Sequence, residues 1–444
     1  MITSIIGKTF LKAFNEKNQS NLSAKEFFDT EYFKLFFDHP KYLQWVINSP
    51  FVQMKSGQKS HLLTPEERAE KLEALHDKVA NEAPDASFAL GYPASSEKKF
   101  ATTSGLVTDI PITCNEEEIY CSWIGSGLGI GVEGSYSLLI NEPKLLLLIY
   151  EGWKHYRDIL NDPVLKLLKG NQINSWNGQW ITYRLGKNYR EESSNLDIRQ
   201  KENIFSLKKK KNEIEINTVN WSNVFFSLTT LYPNQTLMAY IYAMGKTNTT
   251  IGFIPFYLKS ATKLKDVYKQ LYKNTDHFDR EEFQALYGMD IIRACELGSI
   301  GLQALCPQNL RKFMREADKA PFNTKNIDIY KSYKTWLIAM LSRNKEEITN
   351  YTSELAKLLL RYEDEAQGRG RANLIEAKLF KAKSKQKFIE AIIEMIEDID
   401  DNDLEQLKTL KNEVHMMTHE EFIYFITLLK FDYFFLSKTQ SKEL

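Results

Sequence analysis

The chain lacks long apolar runs, clustered cysteines and, beyond Pro321, any proline. Its greasiest stretch, LLLLIY at 145–150, falls far short of the ~20 residues a membrane-crossing helix needs, so no membrane partner is expected. The opening MITSIIGKTFLKAF carries Lys8 and Lys12 inside its apolar pattern and has no small-residue cleavage site. It reads as an amphipathic helix, not a signal peptide. Four cysteines in 444 residues are no disulfide framework, and the expectation is a reduced, cytoplasmic protein. Catalytic signatures are missing too. There is neither a G-x-S-x-G elbow nor a G-x-x-x-x-G-K-[ST] phosphate loop, which excludes the hydrolases and nucleotidases built on them. Cys114 and Cys121, like Cys295 and Cys306, are spaced too widely for a zinc knuckle. His415 and His419 lie one helical turn apart, but Met416 stands where a zincin needs glutamate. Glu376 and Lys378 form an E-x-K in a helical context without an acid on a nearby strand. No catalytic residue, metal or cofactor is assigned, and the chain is expected not to be an enzyme.

Punctuation is uneven in what is present. Eleven of the 20 glycines lie between Gly91 and Gly186, and all 12 prolines lie at or before Pro321. This shift predicts a boundary near 307–321. Residues 1–83 read as the helical N-terminal part of a body. Ser23 with Glu26 makes one capping box, and Thr64-Pro65-Glu66-Glu67 makes a stronger helix start. Residues 84–310 read as an α+β body. Strands are predicted at 117–124, 179–185, 212–219, 224–232, 236–244 and 250–258, with a helix at 144–160. Residues 321–444, with apolar positions at three- to four-residue spacing, read as a bundle of four or five antiparallel helices. The fold class is therefore α+β: a mixed body with an antiparallel sheet and flanking helices, then a C-terminal helical bundle.

Lysine plus arginine and aspartate plus glutamate each number 58. Zero net charge excludes a uniformly basic protein, but not a basic patch offset by acid elsewhere. The distribution is blocked. Residues 184–211 carry net +5, through Arg184, Lys187, Arg190, Arg199, Lys201 and Lys208, Lys209, Lys210 and Lys211, with Tyr183, Tyr189 and Phe205 interleaved. That composition suits phosphate contact and base stacking, or a solvated hairpin tip. Residues 369–387 carry net +6, through Arg369, Arg371, Lys378, Lys381, Lys383, Lys385 and Lys387 against Glu376. Residues 388–407 carry net −8. These two blocks suit a strand-following face beside a repelling one, or ordinary helix-surface patterning. MKSGQKS at 54–60, with Lys55, Gln58 and Lys59, is a small basic loop of the same type.

Two further segments are candidates for DNA contact. GSGLGIGVEG at 125–134 holds a formal G-x-G-x-x-G, but Pro143 follows too soon for a pyrophosphate-binding helix. It reads as a bulged glycine loop or, through Gly127 and Gly129, as one that approaches a nucleic-acid backbone. KGNQINSWNGQWITYRL at 169–185 concentrates amides. Gln172, Asn177 and Gln179 suit base edges, while Asn177-Gly178 between Trp176 and Trp180 also suits a hairpin turn with a cross-strand aromatic pair.

FFDTEYFKLFFDHPKYLQWVINSPFVQ (27–53), ALGYPASSEKKFATTSGLVTDIP (89–111) and GNQINSWNGQW (170–180), with the order of body then bundle, resemble the large subunits of type I CRISPR Cascade surveillance complexes, particularly subtype I-B. The resemblance covers most of the chain. It implies a non-enzymatic subunit that reads a protospacer-adjacent motif on double-stranded DNA, starts strand separation and steadies the displaced single strand. It also implies contact with the 5′ handle of a guide RNA and with the other Cascade subunits, and recruitment of a helicase-nuclease. The helical tail resembles the separate small subunit of such complexes, with Met289, Met314 and Met340 as candidate internal starts. Relatives often carry a compact cysteine zinc motif. Here only Cys114 and Cys121 stand in its place, so zinc is not expected. The alternatives are a metal-dependent nuclease of another family and an interaction scaffold without nucleic-acid contact.

Overall fold

The computed structural model describes the chain except residues 44, 45, 47, 48, 94–109, 111, 188, 190–204, 245–249, 273–279, 317–326, 342–344, 366–369, 398, 400 and 441–444. The fold is α+β, with an antiparallel four-stranded sheet in the N-terminal half and a helical C-terminal region. Contacts divide the chain into two units, Met1–Leu258 with Cys295–Ile300, and Lys259–Ala294 with Gly301–Leu444. The proline-bearing stretch 307–321 lies inside the second.

In the first unit, α1 (Ile2–Asn18) lies against α5 (Glu116–Gly127). Glycine sets their separation. A Cβ on Gly125 would overlap the Thr3 carbonyl, and one on Gly7 would overlap that of Cys121. Between these helices come α2 (Ala24–Phe27), a π-helical stretch Phe28–Tyr32, α3 (Phe33–Phe36) and α4 (Pro65–Asn81). Both predicted capping boxes are present. The Ser23 hydroxyl accepts from the Glu26 amide at 3.2 Å, and Thr64 does the same from Glu67.

A third box, Asn115 with Glu118, opens α5. The strand expected at 117–124 is therefore a helix. It is buried on nearly every side, from Ile119 to Gly125, and a helix without a polar face shows no helical period. The same reason corrects 224–232, which belongs to α8 (Trp221–Leu231), buried at Val224, Phe225, Phe226 and Leu228.

The sheet order is β1-β2-β5-β6, all neighbours antiparallel: β1 (Ile130–Val132), β2 (Tyr136–Ile140), β5 (Thr236–Ala243) and β6 (Thr250–Tyr257). The last two are the strands expected at 236–244 and 250–258. Helices α6 (Pro143–Asn161) and α7 (Ile173–Arg184) precede a separate ribbon of β3 (Leu207–Lys210) and β4 (Glu213–Ile216). The core is aromatic. Trp123, Trp153, Trp176 and Trp180 are each fully buried.

The second unit holds α9 (Lys259–Leu271), a two-stranded pair β7 (Tyr287–Met289) and β8 (Leu305–Pro307), then α10 (Ile327–Leu341), α11 (Lys345–Asp364), α12 (Lys385–Ile396), α13 (Asp401–Met416) and α14 (His419–Gln440). Helix α14 packs on both α10 and α11. At that junction Asp432, 2% exposed, accepts from Lys334 Nζ at 2.7 Å, Tyr330 Oη at 3.2 Å and Thr352 Oγ1 at 2.8 Å. A buried carboxylate holding one ammonium and two hydroxyls is satisfied, whereas either charge alone would be stranded in an apolar core.

Asp432→Leu is therefore expected to lose about 3–5 kcal/mol in urea unfolding of the full chain. Adding Lys334→Met should recover most of that loss. A single variant within about 1 kcal/mol of wild type would show that the pair carries no such weight.

Candidate nucleic-acid interface

The amide-rich segment folds as α7, not as a hairpin, and this corrects both the turn at Asn177-Gly178 and the strand at 179–185. Trp176 and Trp180 stand four residues apart on one helical face, with ring centroids 6.2 Å apart. Their indole N–H groups donate to the Gly152 and Leu148 carbonyls of α6, at 2.7 and 2.8 Å. Gly152 leaves room for the Trp180 ring, which a Cβ there would overlap. Gly178 meets the backbone of Gly131 in β1 in the same way.

These contacts remove the amides from any groove. Asn177 is 0% exposed. Its Nδ2 donates to the Gly127 and Gly129 carbonyls at 2.7 and 2.8 Å, and its Oδ1 accepts from Trp153 Nε1 at 3.2 Å. Gln179 is buried, and its Nε2 donates to the Asn217 carbonyl at 2.9 Å. Gln172, half-buried, accepts from the Ile216 amide at 2.8 Å. Asn177 thus closes the junction of α5, β1 and α7, and the two glutamines tie α7 to the β3–β4 ribbon. Gly127 and Gly129 are buried as well. Gly127 ends α5, and Gly134, at φ 85°, turns β1 into β2. A helix followed by a hairpin is the reverse of a dinucleotide fold's strand followed by a helix. Base reading through Asn177 and Gln179 and backbone approach through Gly127 and Gly129 are corrected accordingly, whereas Gln172 is half-buried with its Oε1 engaged.

The basic residues differ in exposure and in their partners, and some are both exposed and paired. In the ribbon, Lys208 pairs across the strands with Glu215, and Lys210 with Glu213. Lys210 makes ion pairs with Glu213 and Glu215 at 2.8 and 2.7 Å, and Lys169 makes two more at 2.7 and 2.8 Å. Hydrogen bonds from Lys169 and then Lys210 draw the Glu215 carboxyl down to about 2. Lys208, Lys209 and Lys211 are exposed at the outer end. Ile214 and Ile216 are buried beneath them, and Phe205 packs on Trp176 with centroids 4.6 Å apart. Arg184 is held by Glu151 at 3.0 Å and lies 4.1 Å over the Tyr189 ring. Lys187 is exposed.

Elsewhere in this unit, Lys55 pairs with Glu70 at 2.5 Å, and Gln58 donates to Glu67 at 2.8 Å. Lys59 is exposed. Arg190, Arg199 and Lys201 lie outside the described residues.

In the second unit, Lys385 donates to the carbonyls of His415 and Met417 at 3.1 and 2.8 Å, at the C-terminal end of α13, where the helix dipole favours a cation. Arg371 donates to the Tyr362 carbonyl at 3.0 Å and stacks on its ring. Lys378 pairs with Glu394 at 2.6 Å. Lys381, Lys383 and Lys387 are exposed. Arg369 lies outside the described residues.

Cys121 and Cys306 are buried free thiols, raised by burial to about 12 and about 11; Cys114 is half-buried and Cys295 exposed. Among the described residues, no group of three His, Cys, Asp or Glu side chains is placed to hold a metal ion. No helix among them is long and apolar enough to cross a membrane.

The sequence reading passed over α9, whose 13 residues include four lysines and one acid. Its lysine density was visible in the sequence.

No family model, curated protein or solved structure matches this chain.

Asn177→Leu leaves the Gly127 carbonyl and the Trp153 indole N–H unpaired in the core, while the Gly129 carbonyl keeps its bond from Asn174 Nδ2 at 3.0 Å. A loss of about 3 kcal/mol or more in urea unfolding is expected, and wild-type stability would refute the assignment. The Glu215 carboxyl lies below its ordinary value in the folded chain. Its contribution is thus fully present above ~pH 4.5 and lost as pH falls toward 2. Glu215→Gln should flatten the acid limb of the stability profile in that window. An unchanged limb would mean that the lysine pairs add nothing.

Proposed function

We propose that the chain is a non-catalytic, DNA-recognising large subunit of an RNA-guided type I CRISPR complex, acting in the cytoplasm. In this reading it engages the protospacer-adjacent motif on duplex DNA, stabilises the R-loop and the displaced strand, contacts the guide RNA 5′ handle and the other Cascade subunits, and helps recruit the helicase-nuclease. The resemblance supplies the particular complex. The observation that carries nucleic-acid contact is the β3–β4 ribbon, whose outer end presents Lys208, Lys209 and Lys211 to solvent above a buried base.

In such a complex, guide pairing reads sequence and the protein reads a short motif and the backbone. Exposed ammonium groups on a two-stranded ribbon suit the second task. They contact phosphate through charge, and each contact adds to the salt dependence of binding. With Asn177 and Gln179 engaged inside the protein, motif reading falls to exposed groups around the ribbon and the 54–60 loop.

The test is a mobility-shift titration with guide RNA, partner subunits and target DNA, comparing wild type with the Lys208→Ala, Lys209→Ala, Lys211→Ala triple variant. The variant is expected to bind more weakly, with a salt slope smaller by roughly 2–3. Unchanged affinity and slope would remove the ribbon from the interface. Failure of the wild-type chain to join the guide and partner subunits would overturn the reading as a whole.

A further inference from the structure

Helix α9 runs KSATKLKDVYKQL and carries Lys259, Lys263, Lys265 and Lys269 against the single acid Asp266. Lys259 and Lys263 are four residues apart, as are Lys265 and Lys269, and like charges at that spacing cost a helix a few tenths of a kcal/mol. Lys259, Lys265 and Lys269 are exposed. At ~1.5 Å per residue they spread over about 15 Å of helix length.

A basic amphipathic helix commonly inserts into a membrane surface or a protein groove through its apolar face. Here that face is occupied. Ala261, Leu264 and Val267 are buried, and α9 packs on α10. Charge alone is left to select a partner, and it selects a polyanion. Single-stranded nucleic acid is held largely by stacking on exposed aromatic rings. The one ring in α9, Tyr268, is already packed against Tyr272 and Phe283, with centroids 5.0 and 5.1 Å away. A duplex keeps its bases inside and presents a negative charge every ~3.4 Å of axis along each strand, which matches a face of lysines without free rings.

We propose that the exposed lysine face of α9 is a docking surface for the phosphate backbone of duplex DNA, independent of sequence. This rests on the nucleic-acid reading above and adds a second contact to it, on residues that reading did not use.

The experiment uses the full chain with its guide and partner subunits, and compares wild type with Lys259→Gln, Lys265→Gln, Lys269→Gln. Glutamine keeps helix propensity while removing charge. The probes are a labelled duplex of about 30 bp, the matching single strand, and poly-glutamate as an acidic-protein surrogate, over roughly 50–200 mM salt. The variant is expected to lose at least about tenfold in duplex affinity, equally for unrelated sequences, with a salt slope smaller by roughly 2–3. Helix content and melting temperature should be unchanged, so that lost binding is not lost folding. A variant that binds duplex as wild type does would overturn the proposal. So would a loss confined to poly-glutamate or to the single strand. If wild type itself binds no DNA, the broader reading fails, whereas this inference alone fails when wild type binds and the variant binds equally.

Discussion

The Asn177 side chain is the point on which the first unit depends. It joins the end of α5, the start of β1 and the indole of Trp153 in α6 through three hydrogen bonds inside a buried core. An amide can do this only if the backbones carrying its partners come very close, and glycine provides that approach at Gly131 and Gly178. The same logic recurs where α1 meets α5 through Gly7 and Gly125. Removing a side chain at each crossing brings peptide groups near enough for polar side chains to link them. Each buried donor and acceptor in the junction then has a partner, without which it would carry its full desolvation cost.

This arrangement explains why surface charge is the part of the molecule open to function. The tryptophans and amides that looked available for bases are engaged in holding α6, α7 and the ribbon together. The cations are divided. Lys169, Lys210, Arg184, Lys378 and Lys385 are held by carboxylates or carbonyls. Lys59, Lys208, Lys383 and Lys387 extend into solvent. Zero net charge is the sum over all 58 cations and 58 acids, and a cation held by a carboxylate is less available to an external polyanion than one extending into solvent.

Local signals were readable in the sequence. Both predicted capping boxes formed, because a side-chain oxygen three residues from an acid is a short-range arrangement that needs no tertiary partner. Strands β5 and β6 were readable because burial alternates along β5 and again through 253–257 of β6. The misread segments have two causes. Helices α5 and α8 are enclosed on several faces, so their apolar residues crowd together and read as strand, whereas α7 alternates amides with apolar residues. In α7 the Asn-Gly pair imitates a turn, and only the i,i+4 spacing of Trp176 and Trp180 marked the helix. The candidate site was less legible than the fold. Whether a glutamine faces water or a backbone amide is decided by residues far away in the chain, such as Ile216 for Gln172.

The ribbon has a consequence for how the chain can change over time. Its base is fastened to α7 by two glutamines and to the 167–169 backbone through Ile214, while its outer end adds cross-strand pairing and surface ion pairs such as Lys169–Glu213. A substitution, insertion or altered turn at 208–212 therefore leaves the tryptophan core undisturbed. The ribbon behaves as an exchangeable cassette, able to drift toward a new partner while its anchoring residues stay fixed.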